Sequence, residues 1–265
     1  MLVVAATALA YAAPVALVTD IVGAGTQKGG PLKLLAELPR GSEIGIGDGG
    51  RVVVFYLADG SEWTLAGRGR YRLGAAAPEA LDGAPAPARK LAAAGLRAVK
   101  FRTDRATQGG LQMRGGGDLP LLRTPVDEVV LGGPVTFAWE PATAATTYRF
   151  ELVDGAGASV YVLDTPESTL RLPADVALAP GHEYLWAVSG RVPDAAAPFY
   201  RAAAFRTADE ATRRRLDAAQ PAAGAAFSER VLYAALLEDA GAKSAARAQR
   251  AALAAERPAA WAPPR

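Results

Sequence analysis

Apolar and polar positions alternate in short runs over 15–73 and again over 128–207, and change to helical spacing beyond Thr207. The clearest run is 51–65, where two segments rich in β-branched and aromatic residues flank Ala58-Asp59-Gly60-Ser61. Asp-Gly between such segments predicts a hairpin closed by a type I′ turn, with positive φ at both central residues. Asp59 and Gly60 are therefore read as structural residues. Val52, Val54 and Tyr56 fall on one face and Val53, Phe55 and Leu57 on the other, so the hairpin should be dry on both sides. Further short pieces are expected at 15–22, 32–38, 42–46 and 67–73. The last reads as an edge strand whose Arg68, Arg70 and Arg72 point outward around Tyr71. Closely spaced turn signals make 13–74 a small β meander or barrel.

Residues 75–124 lose this pattern. Ala/Pro-rich pieces and a glycine-rich stretch at 109–117 mark a linker, with helix-forming composition over 88–100. From Pro125 the alternation returns, with strands expected at 128–131, 135–140, 147–153, 159–163, 168–172, 183–189 and 199–207. Seven short strands at this spacing predict an immunoglobulin-like sandwich over 125–207. Phe137 and Trp139 should meet Tyr148 and Phe150 across its core. The tail, 208–265, is helical. Phe227–Asp239 is amphipathic, with Leu232 and Leu236 beside the main stripe, and Gly241 separates it from a second helix at 244–256. The fold class is thus mainly β, with a C-terminal helical hairpin.

Composition narrows the chemistry. The 265 residues contain no cysteine and one histidine. Disulfides, thiolate metal sites and cysteine nucleophiles are excluded, and most His-based metal or acid–base sites with them. A net charge of +2 argues against nucleic acid as a partner. Between Arg68 and Arg123, however, eleven Lys/Arg stand against four Asp/Glu. Such a strip suits an anionic surface; as a solvated linker face it needs no partner. The first nineteen residues are uncharged, and 2–9 followed by Ala10-Tyr11-Ala12 has the form of a signal-peptide core with cleavage before Ala13. The alternative is the first helix of a cytosolic domain. The run is too short to span a membrane.

No motif carries catalysis. Gly45-Ile-Gly-Asp-Gly-Gly50 fits G-x-G-x-x-G, but a β run follows where a helix is required. His182 lies beside Pro180-Gly181, a turn position without companion ligands. Ser61, Ser159, Ser168 and Ser189 lack a nucleophile-elbow context. Glu140, Glu151, Glu167 and Glu183 read as solvated carboxylates. No catalytic, cofactor or metal residue is assigned, and no cofactor is expected.

Two family resemblances add to this reading. Val18-Thr-Asp-Ile21 before Gly23, then Pro39-Arg-Gly-Ser-Glu43, then Asp59-Gly60 followed by Trp63-Thr-Leu65, resembles the FecR-type periplasmic domain over about 17–73. FecR signalling proteins carry an anti-sigma segment and a transmembrane helix ahead of this domain. Neither is seen here, so the resemblance implies an envelope domain and not sigma-factor regulation. Val135-Thr-Phe-Ala-Trp-Glu-Pro141 and Leu178-Ala-Pro-Gly-His-Glu-Tyr184 resemble a fibronectin type III domain. That resemblance implies a buried Trp139 and a Tyr184 hydroxyl bonded to the backbone of its own turn. Two short helices about a glycine resemble one tetratricopeptide-type hairpin; a small hairpin packed on the sandwich, or a partner-binding appendage, fits the same residues. Together these readings describe an exported, periplasmic or secreted protein that binds, scaffolds or relays a signal without catalysis. Its partner would be an envelope protein, met through Arg68, Arg70, Arg72 or the Leu232/Leu236 stripe. The alternative, a peptidoglycan or polysaccharide binder, would use exposed aromatics such as Trp63 and Tyr161.

Overall fold

A computed structural model describes residues 13–27, 30–91, 120–141, 147–191 and 198–258. The expected leader (1–12), most of the expected helix at 88–100 and the glycine-rich stretch at 109–117 lie outside the described residues. The chain is mainly β with three C-terminal helices, as expected. It divides into two compact units. The first takes 1–98, 219–235 and 249–265; the second takes 99–218 and 236–248.

In the first unit two five-stranded antiparallel sheets enclose one core. One runs β10-β7-β6-β1-β4, from β1 (Pro14–Val22), β4 (Glu37–Pro39), β6 (Arg51–Tyr56), β7 (Ser61–Ala66) and β10 (Ala88–Lys90). The other runs β3-β2-β5-β8-β9, from β2 (Gly25–Gln27), β3 (Gly30–Pro31), β5 (Glu43–Ile46), β8 (Gly69–Leu73) and β9 (Pro78–Asp82). Val52, Val54, Tyr56 and Leu65 face Ile44, Ile46, Tyr71 and Leu73 across it. A Cβ at Gly25 would lie 2.9 Å from Val52 Cγ2, so glycine lets the sheets close at this point.

The central hairpin forms where the pattern placed it, but not with the expected turn. Only Gly60 has positive φ, at 72°. The Gly60 amide donates to Tyr56 O at 3.0 Å, closing a longer loop. Asp59 instead accepts from the Ser61 amide at 3.0 Å and the Ser61 hydroxyl at 2.7 Å, which holds its carboxyl below the ordinary range. A side chain so used leaves its own backbone no need for a left-handed conformation.

Two boundaries move. β8 is not an edge: β5 flanks it on one side and β9 on the other. Residues 88–90 form strand β10 on β7 and are not helical. Strands β9 and β10 therefore extend the first unit into the segment read as a linker. At that segment's far end β11 (Leu121–Thr124) already belongs to the second unit. These strands are short and charged, so their alternation is too brief to register in sequence. The leucine-rich piece 32–38 also divides, with Leu32 and Leu38 entering the sandwich core. Leu35 turns out at φ 60° and, with Leu34, joins the helical residues Phe227, Val231, Ala234 and Leu253.

The second unit is a β-sandwich. β11, β13 (Thr136–Glu140) and β16 (Thr169–Arg171) form one sheet in the order β11-β13-β16. The facing sheet runs β12-β18-β17-β14-β15, from β12 (Val129–Val130), β14 (Tyr148–Asp154), β15 (Ser159–Thr165), β17 (Glu183–Gly190) and β18 (Phe199–Thr207). Aromatic rings fill the interior. Phe137 meets Phe150 with centroids 4.9 Å apart, and Trp139 meets Tyr148 at 5.5 Å. Trp186, fully buried, touches Phe137, Trp139 and Phe150 and donates its indole N–H to Pro125 O at 2.7 Å. At the turn before β17 the Ala179 amide donates to Tyr184 Oη at 2.8 Å.

The helices are α1 (Glu210–Ala219), α2 (Phe227–Asp239) and α3 (Lys243–Glu256). Asp209 Oδ1 accepts from the Thr212 amide at 2.7 Å, capping α1. Glu128 does the same at long range: its carboxylate takes the Ser244 amide at 2.7 Å and the Ser244 hydroxyl at 2.8 Å, at the positive end of α3.

Two buried tyrosines should respond oppositely to loss of their hydroxyls. Tyr184→Phe leaves the Ala179 amide without its partner and is expected to cost about 1 kcal/mol in denaturant unfolding. The Tyr56 hydroxyl is buried and has no partner among the described residues, so Tyr56→Phe should equal or exceed the parent in stability. Burial, and then the Asp59 charge, push the Tyr56 pKa from 10.0 up to about 12. The folded state thus holds its proton where the unfolded chain has lost it. Stability should fall as pH rises from 10 towards 12, and less steeply in Tyr56→Phe.

Candidate interaction surfaces

Strand β6 is dry on both faces. Opposite the sandwich core, its Val53 and Phe55 are buried together with Leu17 of β1. The register puts Asp20 beside Val53 and Glu62 beside Phe55 on this same side. Both carboxylates are only 3% exposed, and neither is left alone. Asp20 accepts from Arg51 at 2.8 Å and pairs with Arg257, just past α3. Glu62 takes the Arg89 Nε at 2.6 Å, and Arg89 also reaches Glu229 at 3.0 Å and Ser228 at 3.3 Å, both in α2. The ends of α2 and α3 thus cover this face through arginine bridges. Arg257 also lies over the Phe227 ring, 4.2 Å from its centroid. Nothing in the sequence pattern flagged these acids, because an Asp or Glu in a strand looks the same whether wet or dry.

This arrangement withdraws one expected contact surface. Leu232 and Leu236 are both fully buried within the chain, so they are not available to a partner as the amphipathic pattern suggested. Arg68, Arg70 and Arg72 are exposed on or beside β8, as expected. Two of them are charge-balanced: Arg70 meets Asp82 at 3.2 Å and Arg72 meets Glu43 at 2.7 Å. Sequence counting saw the cations but not the acids brought beside them by pairing with β5 and β9.

The aromatics offered for a glycan surface are not free either. Trp63 packs on the first unit's core and donates to Ser61 Oγ at 3.1 Å. Tyr161 packs on the sandwich core near Phe150. Trp139 and Tyr184 are likewise core residues. Gly45 lies in β5 and Gly47 to Gly50 connects it to β6, with no helix to receive a phosphate. His182 is exposed, and its Nδ1 lies 2.8 Å from Pro180 O. Glu140 pairs with Arg123, and Glu183 with Arg206 at 2.6 Å. Among the described residues no group of three or more metal-ligating side chains gathers. A cavity of about 270 Å³ opens at one end of the sandwich, lined by Val130, Val135, Val176, Leu178 and Pro180. Arg213 at its lining is already bonded to Glu210 at 2.9 Å.

No protein-family model matches the chain, and no curated protein does. Among solved structures, one similarity is to CopC from Methylosinus trichosporium OB3b: 14% identity and a TM-score of 0.26, over 35% of this chain and 96% of that one. Another is to a polysaccharide monooxygenase, CBM33: 13% identity and a TM-score of 0.20, over 31% of this chain and 59% of that one. Likenesses of this size carry no argument about function. No helix among the described residues is long and apolar enough to cross a membrane.

A further surface among the described residues is the outward face of the sandwich's five-stranded sheet. Three rows cross it by register: Asp164-Arg149-Ser189-Tyr200, then Val162-Glu151-Ala187-Ala202, then Val153-Leu185-Ala204. Tyr200 is 58% exposed, and Leu185 and Val162 are each 38% exposed. Aliphatic and aromatic groups that alternation should have replaced with polar ones stand open here.

The bridged acids generate a stability prediction. Arg89→Met leaves Glu62 buried without its cation and should cost about 3 kcal/mol by chemical denaturation. Adding Glu62→Gln should recover most of that loss, since the uncompensated charge is then gone. Equal stability of parent and Arg89→Met would show that the bridge holds nothing.

Proposed function

We propose that this chain is a non-enzymatic module of the bacterial cell envelope that binds or scaffolds an envelope protein. The observation that carries the reading is the set of large apolar groups, Tyr200, Leu185 and Val162, open on the outward face of the second unit's five-stranded sheet among the charged Asp164, Arg149 and Glu151. Large apolar groups on one sheet face favour association with another surface over solvation. The proposed family readings accompany it. A FecR-like first unit is supported by the strands formed over 17–73, and a fibronectin-III-like second unit by three strands facing five, the buried Trp139 and the Tyr184–Ala179 bond. The uncharged N-terminal run supports export to the periplasm or beyond. A cell-wall polymer as ligand has less support, because Trp63 and Tyr161 are committed to the cores.

The test is crosslinked capture from the envelope fraction of the native host, with the parent chain and a Leu185→Asp/Tyr200→Ser variant compared at matched thermal stability. One envelope protein should be enriched by the parent and captured about tenfold less by the variant, a loss of ~1.4 kcal/mol. Unchanged capture, recovery of the protein in the cytosol, or turnover of a glycoside, ester or peptide by purified protein would each overturn the reading. Enrichment of wall fragments alone would replace it with the polymer-binding one.

A further inference from the structure

The chain treats its sheet edges unequally. Among the described residues the four sheets end in eight edge strands. Seven have two to five residues. Most of those also carry a proline or a cation: Pro31, Pro39 and Pro78, or Arg89 with Lys90, Arg123 and Arg171. Short length, proline and positive charge are the usual devices that keep an edge from pairing with another chain.

Strand β15 is the exception. It has seven residues, Ser-Val-Tyr-Val-Leu-Asp-Thr, with no proline and no cation. β14 pairs it on one side, and no described strand pairs it on the other. Its single charge, Asp164, is 3.5 Å from Arg149 of β14 and so is answered within its own sheet. Its one irregularity is at the start, where the register against β14 shifts between Leu152 and Val153 and leaves Val160 as the extra residue. Beyond it Tyr161–Val162–Leu163–Asp164–Thr165 pairs regularly with β14. Tyr161 and Leu163 lie opposite Leu152 and Phe150, on the core side, yet both are only half-buried because the sheet stops there.

We infer that β15 is a self-association edge, at which a second copy of this chain adds its own β15 antiparallel about a two-fold axis through Leu163. The occupant follows from self-complementarity. Turning the regular run upon itself sets Leu163 against its own mate, Tyr161 against the second copy's Thr165, and Val162 against the second copy's Asp164. No like charges stand directly opposite, and each Asp164 keeps its Arg149. On the core side the half-buried Tyr161 and Leu163 of both copies close into one apolar strip. The two five-stranded sheets become one continuous sheet, by an isologous contact that closes and cannot propagate into fibres. The contact is one strand wide, so it belongs with the weak interfaces, dissociating at about 10–100 µM.

This inference does not depend on any envelope partner, and purified protein alone tests it. Sedimentation velocity should show the parent shifting from monomer to dimer over that range. Val162→Glu, a change at an exposed position, faces the second copy's Asp164 and should weaken the dimer at least about tenfold, while Val162→Lys should retain it. Because the chain has no cysteine, single-cysteine variants report register directly. Leu163→Cys should form a disulfide-linked dimer in mild oxidant, since directly opposed residues are within bridging distance. Val162→Cys alone should not, but Val162→Cys mixed with Asp164→Cys should. A parent that stays monomeric at several hundred micromolar would overturn the inference. So would equal crosslinking by Leu163→Cys and Val162→Cys alone, or a dimer indifferent to Val162→Glu.

Discussion

A strand that is apolar on both sides requires a dry layer against each, and the first unit is built around meeting that requirement for β6. One layer is the facing sheet, close enough that Gly25 has no room for a Cβ beside Val52. The other comes from residues far along the chain, 227–235 and 249–256, in the two last helices. That second layer is not purely hydrophobic. Asp20 and Glu62 sit in it, and burying two carboxylates is unfavourable unless each finds a cation. The arginines that satisfy them are donated partly by the sheet (Arg51, Arg89) and partly by the segment after α3 (Arg257). Greasy contact between helix and sheet is non-directional and tolerates sliding. A guanidinium aimed at a buried carboxylate does not, and it fixes where along the sheet the helix ends must lie.

The second unit solves its problem differently. Its interior is a set of rings in edge-on, tilted and stacked contact, with Trp186 at the centre, and further polar groups lie at its rim. There they tie down ends: the Tyr184 hydroxyl at the turn before β17, Asp209 at the start of α1, Glu128 at the start of α3.

What was legible in sequence follows from the same physics. Alternation located β1, β5, β6, β7 and the strands from β12 to β18, because each is long enough or apolar enough to repeat its pattern. It also paired Phe137 and Trp139 correctly with Tyr148 and Phe150. It missed β9, β10 and β11, whose identity depends on a neighbour's free edge and not on their own side chains. It misassigned the Asp59 turn, since Asp-Gly serves two loop geometries and the choice rests on whether the Asp side chain engages Ser61. It offered Leu232 and Leu236 as a surface because an amphipathic helix reads alike whether its stripe meets a partner or its own chain. Trp186 was read only as part of a strand; its central place required knowing which strand lies in the middle of the sheet. The outward face bearing Leu185 and Tyr200 was hidden for a related reason, since which side of a strand is wet is decided by the layer opposite.

The Asp20–Arg257 pair joins residues 237 positions apart, and Glu128 to Ser244 spans 116. A chain emerging from the ribosome, N-terminus first, therefore makes β1 long before it makes the arginine that neutralises that strand's buried acid. Until α3 is out, the face carrying Leu17, Phe55 and Asp20 has no lid. Completion of this layer waits for α3, so a product broken off before it would leave that face open to the cell's proteases.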